Sequence, residues 1–354
     1  MRDSVPPVVD LVLAGGGHSH VQVLRSLGMR PLPGARITVI SREVFTPYSG
    51  MLPGHVAGCY AERDIHIDLG PLARFAGARL LAAEVTALDL DAGRIDLDGY
   101  PSVRFDVLSL NTGAVPAAVG ECGIKVKPIG RFLPRWREVV EQVLPGQQIT
   151  LVGGGAGGVE LAMAMRRALG PEVHLTVVTD TLLAGHGERA AARLRAALHR
   201  HGIDVVEDFR VAQASNTANG QELVAEDGRR RHSNHLFWVT GVAAPGWLDR
   251  AGLSTDAGGF VRVDRHLRSL SHPQVFAAGD VAALEGQRRA KSGVYAVRQG
   301  PVLTANLRRS VLGGRLVRYR AQRRVLAIIG TADGRAVASR GTWSAAGRWV
   351  WWWA

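Results

Sequence analysis

The chain is short of cysteine, of lysine and of long apolar runs. Its two cysteines, Cys59 and Cys122, lie far apart and form no CxxC or CxxxxC pair. This argues against a disulfide scaffold and against a metal held by a cysteine cluster. No stretch approaches the roughly 18 apolar residues of a membrane-spanning helix. The opening MRDSVPPVV lacks the charged, apolar and cleavage regions of a secretory signal. A cytoplasmic location is therefore expected, with a peripheral place at the inner face of a membrane as the alternative. Lysine occurs only at Lys125, Lys127 and Lys291, so 40 of the 43 basic residues are arginine. The arginines are scattered, so the net charge of +12 does not read as a nucleic-acid surface. It suits anionic cofactors or an anionic membrane surface. The rest of the composition, 46% hydrophobic and 21% charged over 354 residues, is that of a globular protein with room for two or three domains.

What the chain does have is an internal repeat. The stretch "LVLAGGGHSHVQVLRS" (11–26) aligns with "TLVGGGAGGVELAMAM" (150–165). Gly15 matches Gly153, Gly17 matches Gly155, and His20 stands where the second copy has Gly158. Each copy has an apolar strand before it, an amphipathic helical pattern after it, and a second β-branched strand about twenty residues on: "ARITVIS" and "VHLTVVT". The first glycine of such a turn makes the tight bend. The second lets a pyrophosphate approach the backbone, and the third lets helix and strand pack closely. The helix N-terminus adds N–H groups and partial positive charge. Two such units predict two nucleotide-binding domains. Two further strand ends, "LSLNTGAVP" and "FWVTGVAAP", place Thr112-Gly113 and Thr240-Gly241 where the chain crosses between domains. A third signal, "VFAAGDVAAL", reads as a short buried strand ending in Gly279-Asp280, then a helix.

This order of motifs resembles the FAD-dependent pyridine nucleotide-disulfide oxidoreductases, over nearly the whole chain. Within that superfamily, "GGGHSHVQVLRSLGMRPLPG", "TPYSGMLPGHVAGCY" and "KSGVYAVRQGP" resemble a narrower group. That group is found fused in front of selenophosphate synthetase, and is related to type II NADH dehydrogenases and apoptosis-inducing-factor-like flavoproteins. "GGGHSH" is usual in it, so His20 is not a decayed glycine. The resemblance implies an α/β fold of two Rossmann-like FAD/NAD(P)-binding domains, one inserted in the other. The FAD domain takes 1–120 and 245–320. The NAD(P)H domain takes 146–244. A small C-terminal interface module, read as truncated, takes 321–354.

The resemblance also implies roles for residues. Gly15, Gly17 and His18 face the FAD pyrophosphate, and Asp280 accepts hydrogen bonds from the ribitol chain. Gly153, Gly155 and Gly158 hold NAD(P)H. Disulfide reductases of the superfamily carry a redox cysteine pair near "FTPYSGMLPG" (45–54), which here has none; Pro47 and Tyr48 lie in that stretch. Dithiol relay is therefore not expected, and hydride transfer from NADH to the flavin remains. Glu160 would lie near the nicotinamide and flavin, or else be an ordinary acid stabilising a helix's positive end. Lys291 and the helix after it would support the flavin's O2–N1 edge, or Lys291 is solvated. Tyr48 and Tyr295 contact the ring, line the acceptor pocket or pack in the core. At the strand end after the first turn, Ser41 stands in the acid's place, so Ser41 or Glu43 serves the FAD ribose. After the second turn Thr179 holds that place and Asp180 follows, with no arginine until Arg189. This favours NADH over NADPH.

His18 and His20 sit two apart at a helix start, so their side chains diverge and no metal site is expected. The C-terminal Trp349, Trp351, Trp352 and Trp353 suit either a peripheral membrane contact or packing at a domain interface. The expected partner is a small-molecule electron acceptor, quinone-like or otherwise, and a homodimer stays open. Two rival readings remain: a reductase of a selenium species, and an NADH-sensing binding module.

Overall fold

The computed structural model describes residues 8–117, 122–287, 291, 293–322 and 324–353. The chain divides into two units. One takes the residues up to Tyr48, His66–Val115 and Ala243–Ala321; the other takes Ser49–Ile65, Pro116–Val242 and the residues from Gln322 onward.

The first unit is built on a five-stranded sheet in the order Val275–Ala277, Val107–Leu110, Val9–Ala14, Ala35–Ser41, Arg79–Ala82. All neighbours in it are parallel. The central strands read as near-continuous apolar runs because both their faces are covered. Leu11, Leu13, Val39, Ile40, Leu108 and Leu110 are fully buried. Helix His18–Met29 packs onto this sheet through Val23, Leu24 and Leu27. A three-stranded antiparallel meander, Val85–Asp89, Arg94–Leu97 and Tyr100–Arg104, completes one side of the chain's excursion from the sheet.

The second unit repeats this plan. Its parallel sheet runs Ile124–Lys125, His235–Trp238, Gln148–Val152, His174–Val178, Ile203–Val206. It too has a meander, Val211–Thr217, Gly220–Ala225 and Arg230–Ser233. Helix Ala156–Leu169 buries Val159, Leu161, Ala162, Met163 and Met165 in the core. The unit also contains an antiparallel sheet of Ala327–Gly330, Ala336–Arg340 and Trp343–Gly347, followed by the short helix Arg348–Trp351. The repeat seen in sequence is thus a repeat of topology: in both sheets the strand before the glycine turn is central, and the strand before Thr-Gly lies beside it.

One local expectation is corrected. No α-helix follows Gly279-Asp280. A single 3-10 turn, Gly279–Val281, leads into a strand, Ala282–Leu284, which pairs in parallel with Val261–Val263. The apolar run before Glu285-Gly286 is too short to nucleate a helix, whereas a strand partner is at hand. The helix comes later, at Gly293–Leu312. Among the described residues no helix is long and apolar enough to cross a membrane.

Candidate functional site

In the first unit the chain leaves strand Val9–Ala14 through Gly15, at φ +101°. A Cβ on Gly15 would stand 2.3 Å from the Asn111 carbonyl oxygen, and one on Gly17 2.3 Å from Asn111 Oδ1. Only glycine fits either place. No acid occupies the first turn of helix His18–Met29, so its positive end is left for an anion.

Asn111 is the residue that sequence reading missed. Its Oδ1 accepts from the Ser19 N–H (3.1 Å) and the His20 N–H (3.3 Å), and its Nδ2 donates to the Ala278 carbonyl (2.7 Å). A Cβ on Gly279 would lie 2.4 Å from that same Nδ2. One buried amide therefore joins the first glycine turn, the Thr112-Gly113 turn and the Gly279-Asp280 turn. The signal was present: a polar residue closes an apolar strand where the second copy has Val239.

The structure also explains His20. In the second turn a Cβ on Gly158 would lie 2.0 Å from the Gly153 carbonyl oxygen, so the third glycine is a steric necessity there. In the first turn the corresponding carbonyl, that of Gly15, accepts a hydrogen bond from His20 Nδ1 at 2.7 Å. A carbonyl can only accept, so Nδ1 carries the proton. His20 Nε2 lies 2.8 Å from Ser109 Oγ and, in the neutral ring, accepts from that hydroxyl. The ring is fully buried, and burial pushes its pKa down to about 4. Ser109 pairs in register with Leu13, and at the matching place in the second sheet Phe237 pairs with Leu151. The two copies thus differ at both places: His20 bonded to Ser109 in one, and in the other Gly158 with Phe237 at the register-matched strand position.

Around this turn the structure gathers several of the expected residues. His18 packs against Tyr48 with ring centroids 4.6 Å apart. Burial lowers the His18 pKa, and the charge of Asp280 opposes that shift. His18 Nε2 and Thr112 Oγ1 are buried and, among the described residues, have no hydrogen-bond partner. Orphaned polar atoms beside a glycine cradle and an acid-free helix start fit a bound dinucleotide, which would supply the missing partners. Gly113 takes φ +74°, and Ser41 Oγ is committed to the Glu43 carbonyl at 2.7 Å. Pro47 pairs with His66 in a short antiparallel ribbon. Gly279 N–H donates to Gln299 Oε1 at 2.6 Å. Gly279, Asp280, Lys291, Tyr295 and Gln299 share the wall of a cleft of about 870 Å³. Lys291 is not simply solvated: its Nζ donates to the Ala282 carbonyl (2.7 Å) and lies 3.6 Å from the centre of the Phe260 ring. Burial lowers its pKa, against the opposing charges of Asp256 and Asp280.

In the second unit Gly153 takes φ +126°, with its Cβ position 2.5 Å from the Val239 carbonyl oxygen. Gly155 caps helix Ala156–Leu169, which again has no acid in its first turn. Thr240 Oγ1 is buried without a partner among the described residues, as Thr112 Oγ1 is in the other unit. Gly241 accepts the Ala117 N–H at 2.9 Å. A second dinucleotide therefore fits here, and would supply the partner that Thr240 lacks. At the strand end Asp180 is not alone, because Arg210 Nη2 donates to its Oδ2 at 2.8 Å.

Glu160 follows in the next turn of that helix. Its Oε1 accepts the Gly330 N–H at 2.7 Å, and burial pushes its pKa up to about 7, with the Gly330 bond opposing. A Cβ on Gly330 would crowd Trp351 (3.0 Å) and Glu160 (3.2 Å), so the glycine permits this contact. Cys59 is exposed and Cys122 buried, and neither is in a disulfide. Burial raises the Cys122 thiol pKa, which makes it a poor nucleophile.

Two glycine turns of this build, each at the C-terminal end of a parallel sheet, define an α/β protein with two dinucleotide-binding folds. The family model described as pyridine nucleotide-disulphide oxidoreductase matches residues 9–300, and the chain belongs to that family. It is 31% identical over 208 residues to the biphenyl dioxygenase system ferredoxin–NAD(+) reductase component of Paraburkholderia xenovorans, covering 57% of this chain and 50% of that protein. It is 28% identical over 300 residues to the chlorobenzene dioxygenase ferredoxin reductase component of a Cupriavidus species, covering 82% and 71%. The chain thus spans half the length of the first relative. In fold it is similar to the sulfide:quinone oxidoreductase of Aquifex aeolicus, with a TM-score of 0.80 over 98% of this chain and 89% of that one, at 16% identity.

Proposed function

We propose that this protein oxidises NADH through FAD and passes the electrons to a quinone-like or other small acceptor, without a redox disulfide. In this reading the turn at Gly15, Gly17 and His18, with Asn111 behind it, holds the FAD pyrophosphate. Asp280, Lys291, Tyr48 and Tyr295 serve the rest of that cofactor. The turn at Gly153, Gly155 and Gly158 holds NADH. When bound, NADH supplies a hydride and FAD receives it. The FAD domain is 1–120 with 245–320, the nicotinamide domain 146–244, and 321–354 an accessory module.

The observation that carries the reading is Glu160. A carboxyl with a pKa near 7 takes or gives a proton at neutral pH with little cost either way. Reduction of a quinone-like acceptor consumes protons as well as electrons, so a group of this kind is needed. The Gly330 N–H holds one carboxyl oxygen in place.

A small ferredoxin-type carrier is the second acceptor class, favoured by what the two relatives are named for. A ferredoxin takes electrons one at a time and leaves the flavin's protons to be released, whereas a quinone takes up protons with its electrons. In the anaerobic FAD-loaded protein, NADH is expected to bleach the flavin, and a quinone to restore it faster than a ferredoxin. Protein that stays oxidised with both NADH and NADPH refutes the reading.

A further inference from the structure

The four tryptophans of residues 349–353 do not share one environment. Trp349, Trp352 and Trp353 are 50%, 84% and 58% exposed, whereas Trp351 is half-buried. Helix Arg348–Trp351 starts after Gly347, whose missing side chain leaves room for the Trp349 ring: a Cβ there would lie 2.9 Å from it. Trp351 stands two residues further on, so its side chain leaves on another side of the helix. It packs against the buried cluster of Val350, Ala336 and Ala338. There it meets Gly330, the last residue of edge strand Ala327–Gly330. One methyl-sized point beside Gly330 lies 3.0 Å from Trp351 Cζ3 and 3.2 Å from Glu160 Oε1. The indole and the carboxyl therefore both lie against one glycine, whose own N–H bonds that carboxyl.

We propose that Trp351 is a positioning residue for Glu160: its indole closes over the Gly330–Glu160 contact and screens one side of the carboxyl from water. The inference rests on the reading of Glu160 as the proton-exchanging group, and it makes the C-terminal module part of that site. A flat apolar ring denies the carboxylate hydration that would stabilise its charge, so it favours the neutral acid. Burial is the cause that raises the Glu160 pKa, with the Gly330 bond opposing, and among the described residues no neighbouring charge contributes. The charged groups of the elements packed there are engaged elsewhere or face solvent. Arg166 donates to the Gly170 carbonyl (2.6 Å) and Arg167 to the Ala332 carbonyl (2.7 Å). His55 faces the Tyr60 carbonyl (2.9 Å), Asp333 lies 3.8 Å from His201, and Arg348 is exposed. The state of the carboxyl is thus set by how much water reaches it, and Trp351 is the large apolar side chain at that place.

The test titrates Glu160 directly, by infrared difference spectra of the full FAD-loaded chain across neutral pH, with Glu160→Gln subtracted to isolate its carboxyl. In the wild type that carboxyl should titrate near 7. Trp351→Ala should lower its proton affinity by about tenfold or more, and the neutral limb of quinone reduction should move down with it. Trp351→Phe, which keeps a ring in place, should hold both within about threefold of wild type, with Trp351→Leu between the two. FAD retention and hydrogen exchange in strand Ala336–Arg340 show that each variant is folded, and if Trp351→Ala unfolds that sheet, Trp351→Leu carries the test. An unchanged midpoint in the folded variant, or a Trp351→Phe shift as large as that of Trp351→Ala, overturns the inference and leaves Glu160 in the chemistry. A midpoint that moves as expected, while quinone reduction shows no limb near it, supports the inference and removes Glu160 from the reaction. A wild-type carboxyl that titrates near the ordinary 4.5 overturns both.

Discussion

The sharpest perturbation in this molecule is the replacement of His20. Its ring bridges the Gly15 carbonyl and the Ser109 hydroxyl in a fully buried place. His20→Ala leaves both without a partner, at about 1–3 kcal/mol each, and opens a void in place of the ring. The first unit should lose about 3–5 kcal/mol. His20→Asn is the informative control, because its amide N–H can replace Nδ1 toward Gly15 while only Ser109 is orphaned. It should lose about 1–3 kcal/mol, and Ser109→Ala in that background should recover part of the loss. The pH dependence is diagnostic. The folded pKa is depressed to about 4 from an ordinary 6.5, so the unfolded chain binds more protons between those values. The stabilisation is present above 6.5 and is lost as pH falls toward 4. Between pH 8 and pH 5 the wild type should lose about 2 kcal/mol from this residue, and His20→Asn should lose nothing from it. Urea unfolding read by hydrogen exchange in strands Val9–Ala14 and Val107–Leu110 follows this unit alone. Equal slopes in wild type and His20→Asn would refute the neutral, doubly bonded ring.

Glu160 predicts the opposite sign in the other unit. Its folded pKa is raised from 4.5 to about 7, so its stabilisation is full below 4.5 and is lost as pH rises through 7. Glu160→Gln keeps the acceptor for Gly330, so urea unfolding of that unit at pH 8 should show a gain of about 2 kcal/mol, reduced from the full shift because the side chain still touches solvent. Steady-state quinone reduction in this variant should lose its pH limb near neutrality, and a limb that persists would remove Glu160 from the chemistry. Asn111→Leu should cost about 3 kcal/mol or more, since it orphans the Ala278 carbonyl and two N–H groups together. It should also weaken FAD retention in equilibrium dialysis, and unchanged retention would detach Asn111 from the cofactor turn.

Much of this architecture was legible because its signals are local. A glycine turn between an apolar strand and an amphipathic helix is written in consecutive residues, and the chain contains it twice. Strand Ala35–Ser41 occupies the same residues as the "ARITVIS" run, and strand Gln148–Val152 leads straight into the second glycine turn. The misreading after Gly279-Asp280 had a local cause too, since a run of four apolar residues does not declare whether a helix or a strand partner will take it. The Arg210 contact is not local either: it lies 30 residues further along the chain than Asp180.

The partners that make the glycine turns work are remote by construction. A nucleotide turn must leave its own N–H groups and helix end to the ligand, so the residues that brace it cannot be its neighbours. Ser109 reaches His20 across 89 residues, Asn111 reaches Ser19 across 92, and Gly330 reaches Glu160 across 170. Ser109 and Asn111 sit within or just past a strand beside the turn, where parallel topology brings distant segments into register, and Gly330 ends a strand of an antiparallel sheet. The duplication makes such braces readable after all. Where one copy has His20 the other has Gly158, and the difference must be absorbed by whatever touches that position. In the first copy it is Ser109, which His20 bonds; in the second the nearest side chain is that of Val239, 3.7 Å from a Cβ on Gly158. A third glycine is therefore one of two solutions to the same packing problem. Histidine is the other, provided that a small hydroxyl stands opposite and the ring stays neutral.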